Sequence, residues 1–177
     1  MMYLVHFCMT CSLTNVSSLT ARTSSTLPFV YTCPPRGSCS FYEVYLESRY
    51  RCGPTDYPLG FGKKYCLAFA ANQDKFTPQG REWMLNTMQC LQEALFPEAE
   101  GTSDITTCEQ LENYAFSTHP KCYIDNGFCT LPPSDWEKVV EIVGFTTMFG
   151  SWNAIKTEAE TAAGCGSLYL FLLSQGL

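Results

Sequence analysis

The sequence predicts a small all-α protein, an array of helices that disulfide bonds cross-link. Three observations lead to this prediction. Apolar residues recur at helical spacing in several segments, no segment shows the long apolar/polar alternation that marks a sheet, and the chain of 177 residues contains 11 cysteines. With 46% hydrophobic and 16% charged residues, the composition excludes a disordered chain and a coiled coil.

The chain divides into an N-terminal segment, residues 1–27, and a helical domain, residues 28–177. The first nine residues are mostly apolar and a Ser/Thr-rich stretch follows, so we expect a leader or a disordered segment. As a signal peptide it is imperfect, because no basic residue precedes the apolar run, which includes His6, and no small-x-small cleavage site follows. Asn15, in Asn15-Val16-Ser17, is the acceptor of the N-glycosylation sequon and lies in this segment.

Three helices are predicted in the first half of the domain. The segments Phe41–Tyr50 and Tyr65–Asn72 have lengths compatible with helices. The third begins with Thr77 as N-cap and Pro78 as first helical residue, and it ends near Pro97. Its apolar face consists of residues that recur at a spacing close to 3.6, namely Trp83, Met84, Met88, Leu91 and Leu95.

The next helix is predicted where Thr106 and Glu109 form a capping box. Its apolar face consists of three residues, Cys108, Leu111 and Ala115. Pro120 interrupts this pattern, because proline lacks the amide donor that a helix interior requires. His119, the residue before it, is therefore interpreted as a helix-ending residue.

Further helices are predicted toward the C-terminus. Ser134 and Glu137 form a capping box at the start of one of them. Its apolar face has the spacing i, i+3, i+4 and i+7, with Trp136, Val139, Val140 and Val143. Ala154–Leu173 is compatible with one long helix. We expect Trp83 and Trp136 to pack in the core rather than to stack on a ligand.

The charge balance disfavours two classes of partner. Eleven basic and 17 acidic residues give a formal net charge of −6, which repels nucleic acid and anionic membrane surfaces.

The longest apolar run, Leu168–Leu173, is much too short for a transmembrane span. An acidic cluster lacks the spacing of a calcium-binding EF-hand loop, so a solvated surface is expected for Glu98, Glu100, Asp104, Glu109 and Glu112.

So many cysteines indicate an oxidising, extracellular or secretory compartment. Spacing alone does not assign partners, since eight cysteines allow 105 pairings. A zinc site is the alternative, formed by His119, Cys108, Cys122 and Cys129. Cystine formation would remove the thiolates that zinc binding or Cys-His catalysis requires, so we expect no metal, no cofactor and no enzymatic activity.

One segment carries a resemblance to a known family. Residues 66–90, CLAFAANQDKFTPQGREWMLNTMQC, contain the arrangement Cys-(x)8-Lys-Phe-x-x-Gln-Gly-(x)9-Cys and resemble the central segment of the stanniocalcins. Residues 39–66, 119–129 and 132–136 resemble divergent stanniocalcin-like proteins outside vertebrates. The resemblance extends from Cys33 to Cys165, about three quarters of the chain.

The resemblance implies a disulfide connectivity. Its four pairs are Cys39 with Cys66, Cys52 with Cys108, Cys90 with Cys122, and Cys129 with Cys165. A fifth cystine of the family has no counterpart, because Tyr45 stands where its second cysteine would be. We therefore expect Cys33 to be a free thiol, to bond Cys8 or Cys11, or to form an intermolecular bridge. The region that carries the family's dimer-linking cysteine is absent, which leaves homodimerisation open.

The resemblance also implies a function. It predicts a secreted, hormone-type regulator that acts by binding an extracellular protein or receptor, with roles in the family that include calcium and phosphate homeostasis and inhibition of a secreted metalloprotease. A secreted cysteine-rich structural or defence protein without hormone activity is the alternative, and a zinc-dependent intracellular domain is a third hypothesis.

Overall fold

The computed structural model describes residues 34–144 and 149–176, with regular structure that is entirely helical. The predicted all-α, disulfide-cross-linked array is confirmed. The helices are α1 (a π-helical part, Tyr42–Glu47, followed by Ser48–Tyr50), α2 (a π-helical part, Tyr57–Lys63, followed by Lys64–Ala71), α3 (Pro78–Ala94), α4 (Phe96–Glu100), α5 (Cys108–Asp125), α6 (Pro133–Val143), α7 (Phe149–Thr161) and α8 (Gly166–Ser174). Short 3₁₀ turns lie at Gln73–Lys75 and Phe128–Thr130. The interpretations of Cys8, Cys11, Asn15 and Cys33 lie outside the described residues.

Helix α3 begins as the sequence predicts. The Thr77 side chain accepts a hydrogen bond from the amide of Gly80, and Pro78 is the first helical residue. The helix ends at Ala94, where Leu95 is the C-cap, and α4 follows directly. Four of the five residues of the predicted face are buried, namely Trp83, Met84, Met88 and Leu95, and Leu91 is half-buried.

The predictions for α5 are wrong at both ends. The N-cap is Thr107 rather than Thr106, and the capping box forms with Gln110 rather than Glu109. Pro120 lies inside the helix, which continues to Asp125, so His119 does not end it. Proline has no amide hydrogen, so the helix loses one backbone hydrogen bond at Pro120. The next turn offsets this loss, because Cys122 forms a disulfide and Tyr123 is buried in the core.

The C-terminal predictions also require correction. Helix α6 begins at Pro133 with Pro132 as N-cap and no side-chain capping bond, so Ser134 and Glu137 do not form the predicted box. The long helix predicted for Ala154–Leu173 is two helices, α7 and α8. Gly164, in the break between them, has φ of +84°, a conformation that L side chains rarely adopt and that turns the chain after α7.

The core lies between α3, α5 and α7. Helix α8 packs against α7, and α1 and α2 pack against each other. Both tryptophans predicted to pack in the core, Trp83 and Trp136, are buried there, and so is Trp152. The indole N–H groups of Trp83 and Trp136 donate to the backbone carbonyls of Tyr123 and Phe128, so these large side chains are buried without losing a hydrogen bond. Every helix of the described residues is too short or too polar to cross a bilayer.

Candidate functional site

Four disulfides connect distant parts of the described chain. They join Cys39 to Cys66, Cys52 to Cys108, Cys90 to Cys122 and Cys129 to Cys165, with Cα–Cα distances of 5.7, 5.6, 5.7 and 4.6 Å. These are the four pairs that the stanniocalcin resemblance implies. The first joins the segment before α1 to α2, the second joins the segment after α1 to the start of α5, the third joins α3 to α5, and the fourth joins the turn after α5 to the start of α8.

The disulfides remove the thiolates of the alternative zinc site, because Cys108, Cys122 and Cys129 each have a cysteine partner. In the described residues, one group of potential metal ligands comes together, consisting of Asp56 beside Cys52 and Cys108. Both of its sulfur atoms belong to one cystine, so the group offers a single carboxylate rather than a metal-binding set.

The start of α3 is locked to the start of α6. The buried carboxylate of Asp135 accepts hydrogen bonds from the Thr77 amide at 3.0 Å and the Thr77 hydroxyl at 2.6 Å. A Cβ atom on Gly80 would lie 2.4 Å from Asp135 Oδ2, so only glycine allows this approach. The Gln-Gly pair in the segment that resembles the stanniocalcins therefore has a structural role, and Gln79 donates to the Thr130 carbonyl beside it.

An aromatic pocket lies among α1, α2, α3 and α5, close to the end of α6. It has about 50 Å³ of free space, several times the roughly 10 to 15 Å³ that one water molecule requires. Most of its lining is apolar or aromatic, and side chains with a polar group come from seven positions: Tyr42, Tyr57, Tyr65, Trp83, Thr87, His119 and Tyr123. These helices bring together residues that lie far apart in the sequence.

The rings around the pocket pack mainly edge to face. Tyr57 and Phe61 each meet the Phe116 ring at a steep angle, with centroid distances of 5.6 and 5.4 Å. On the other side, Trp83 meets Tyr123 in the same way at 5.3 Å. Such contacts add to the stability that burial of the rings provides, and they fix the shape of the pocket.

Four fully buried ionisable groups of the pocket, Tyr42, Tyr57, Tyr123 and His119, are neutral at physiological pH. Burial raises the pKa of the phenols of Tyr42, Tyr57 and Tyr123 above the ordinary value of 10.0. Burial also lowers the pKa of His119 from 6.5 to about 4. Because a carbonyl oxygen only accepts, His119 Nδ1 carries the proton and donates to the Ala115 carbonyl at 2.9 Å.

One buried polar side chain departs from what the sequence predicts. Glu98, assigned to a solvated acidic surface, is only 3% exposed, and its Oε2 has no hydrogen-bond partner. Glu100, Asp104 and Glu109 of the same cluster are exposed as expected. Thr87 is also 3% exposed, and its hydroxyl lacks a partner where α3 borders the pocket.

Apolar side chains also remain at the surface of the described residues. The most exposed of them is Leu170 on α8, at 66%, and Leu173 on the same helix is 43% exposed. Residues three apart on a helix are neighbours, so these two form one small apolar patch. Val44 on α1 and Leu67 on α2 are exposed singly, which is ordinary for a globular protein.

Sequence reasoning did not predict the pocket. Thr87 and His119 each lie at helical spacing from apolar residues, which predicts that they are on a buried helix face but not that they border a pocket. Tyr42 and Tyr57 belong to an aromatic-rich stretch that has no regular period. That enrichment was the one available signal, and it does not identify which rings converge.

Comparisons of the chain with protein-family models, curated proteins and solved structures find no match.

Proposed function

We propose that this chain is a secreted, stanniocalcin-like regulator that acts by binding another extracellular protein. The observation that carries the proposal is the disulfide frame, four cystines whose pairing is the one that the resemblance implies. Stable cystines form in oxidising compartments, and a cross-linked helical array keeps its surface intact outside the cell. Regulation of calcium or phosphate handling is the role that the resemblance suggests.

Contact rather than catalysis is the mode of action that the side chains favour. The one histidine of the described residues, His119, is buried and neutral, and all eight described cysteines are in disulfides. Among the described residues, histidine therefore supplies no exposed general base, and cysteine supplies no thiolate nucleophile. The net charge of −6 favours a partner with a basic surface, with association that weakens as salt rises.

The test begins with the full chain expressed through a eukaryotic secretory pathway behind a heterologous signal peptide. Mass mapping without reductant should recover the four predicted disulfide-linked peptide pairs. The secreted protein is then immobilised and exposed to extracellular fluid, with captured proteins identified at two salt concentrations. We expect one or a few proteins to be enriched reproducibly and to be released by salt.

The matched control is the same protein after reduction and alkylation. It has the same sequence and the same number of acidic residues, but it has no disulfide cross-links. A partner that depends on the folded surface binds the oxidised form alone. Free thiols at Cys90, Cys122, Cys129 and Cys165 in secreted material would contradict the compartment and the kinship. Repeated capture with no enrichment over the alkylated control would instead favour the structural or defence alternative.

A further inference from the structure

The aromatic pocket has the features of a binding site for a small molecule. Small-molecule sites are concave and mostly apolar, with few polar groups that orient the ligand. None of the sixteen residues that line this pocket is an aspartate, glutamate, lysine or arginine. A charged ligand would be buried there without an opposite charge, which is strongly unfavourable, so the lining selects an uncharged molecule.

The ring arrangement argues against a quaternary ammonium ligand. An aromatic cage for a cation needs several ring faces that point toward one centre. Here Phe116 makes steep contacts with both Tyr57 and Phe61, at 85° and 88°, and in each contact the edge of one ring covers a face of the other. One face in each of these ring pairs is therefore already occupied by protein, and aliphatic side chains such as Met84 and Met88 complete a lining that suits the body of an uncharged molecule.

Thr87 provides the second, independent observation. It is 3% exposed, it lines the pocket, and its Oγ1 has no hydrogen-bond partner, although most buried hydroxyls in proteins do. On a helix, threonine commonly bonds the carbonyl of the preceding turn, and in α3 this bond is missing. A ligand hydroxyl could accept a hydrogen bond from Thr87 Oγ1.

We propose that this pocket binds a small, uncharged molecule with an apolar body and one hydroxyl group, of the phenol or short-chain alcohol class, and that Thr87 Oγ1 is its hydrogen-bonding partner. The site is separate from the protein-binding activity proposed above and does not depend on it. The phenol class fits because its ring can pack against Trp83 and Met84 while its hydroxyl lies at Thr87.

The experiment titrates the oxidised full chain with phenol and with toluene, which has a methyl group in place of the hydroxyl. Calorimetry gives the affinities, and the fluorescence of Trp83 together with NMR contacts to Val143 gives the location. Thr87→Val removes the hydroxyl at nearly constant shape. We expect saturable phenol binding, and the ratio of phenol to toluene affinity should fall about five- to tenfold in this variant.

Thr157→Val is the control, because Thr157 lies on the exposed side of α7 and its hydroxyl bonds the Asn153 carbonyl. Its affinity ratio should equal that of the wild type. Thr87→Val is expected to fold at least as stably as the wild type, since it removes an unpaired buried hydroxyl, and thermal unfolding checks this. The proposal is overturned if phenol does not saturate a site, if the pocket holds water only, if tetramethylammonium binds more tightly than phenol, or if the ratio is the same in both variants.

Discussion

Helices α3 and α8 are both rich in apolar residues, but they bury them to very different degrees. In α3 the buried positions include Gly80, Trp83, Met84, Thr87 and Met88, which follow the helical repeat and face the core, with polar residues elsewhere. In α8 six consecutive residues, 168–173, are apolar, yet only Leu168 and Leu172 are fully buried while Leu170 is 66% exposed. A periodic pattern thus specifies which face is buried, whereas a uniformly apolar helix leaves that choice to its neighbours.

The two helices are also attached differently. At its start α3 has a side-chain cap and the bonds between Thr77 and Asp135, and in its last turn it has the disulfide of Cys90. Helix α8 begins after Cys165 without a side-chain cap. We therefore expect perturbations at the start of α3 to act through specific hydrogen bonds and contacts, and perturbations at the start of α8 to act through its cross-link.

The largest expected effect comes from the disulfides. Cys90→Ala and Cys122→Ala should each lower the free energy of unfolding by about 3 to 4 kcal/mol, because the cross-link restricts the unfolded chain. The double variant should lose little more, since the same bond is absent in all three proteins. Denaturant unfolding measures this, and additive losses would contradict the pairing.

The comparable change at α8 is the double variant Cys129→Ala and Cys165→Ala. Its residues are separated by 36 positions against 32 for Cys90 and Cys122, so chain entropy predicts a similar loss for both cross-links. A much smaller loss for the α8 pair would show that the attachment of this helix contributes less to the folded state than that of α3.

The second effect is a dependence on pH through His119, on the side of α5 that borders the pocket. Its folded pKa, about 4, is below the ordinary 6.5, so the unfolded chain binds the proton more tightly. The stabilisation linked to the neutral His119 side chain is fully present above pH 6.5. As the pH falls toward 4, the free energy of unfolding decreases by roughly 3 kcal/mol, because the unfolded chain takes up the proton first. In urea unfolding at pH 7.5 and 4.5, His119→Phe should lose less stability than the wild type; equal losses would contradict the assignment.

A third, intermediate effect compares the starts of the two helices. Gly80→Ala forces a Cβ against Asp135 Oδ2 and should lower the free energy of unfolding by about 2 kcal/mol. Gly166→Ala, at the start of α8, meets no atom within 4 Å and should be neutral or slightly stabilising. Thermal unfolding of both variants checks the difference, and similar behaviour would mean that Asp135 moves aside without loss.

The smallest effect is expected at the surface of α8. Leu170→Ala should change the free energy of unfolding by less than about 0.5 kcal/mol, because this side chain is largely exposed. Leu172→Ala, two residues away and fully buried, should cost about 2 to 5 kcal/mol and serves as the control. A large loss for Leu170→Ala would place its side chain in a packed interface.

Some parts of the fold followed from the sequence because local chemistry decides them. Thr77-Pro78 specifies the start of α3, and the spacing of its apolar residues specifies the buried face. The capping box of α5 was misplaced by one residue, since Thr106 and Thr107 both precede residues able to complete a box. Pro120 was interpreted as a stop signal, because its local cost is visible in the sequence whereas the packing of Tyr123 is not.

The helical class, the principal amphipathic faces and the presence of a disulfide frame can be predicted from the amino-acid order alone, because helical periodicity and cysteine content are properties of short segments and of composition. The burial of Glu98, the contact of Asp135 with Gly80 and the unpaired Thr87 hydroxyl beside an aromatic pocket are visible only in the folded molecule. These features depend on contacts between residues that are far apart in the chain. Their energies arise from packing and desolvation, which exist only once the helices have come together.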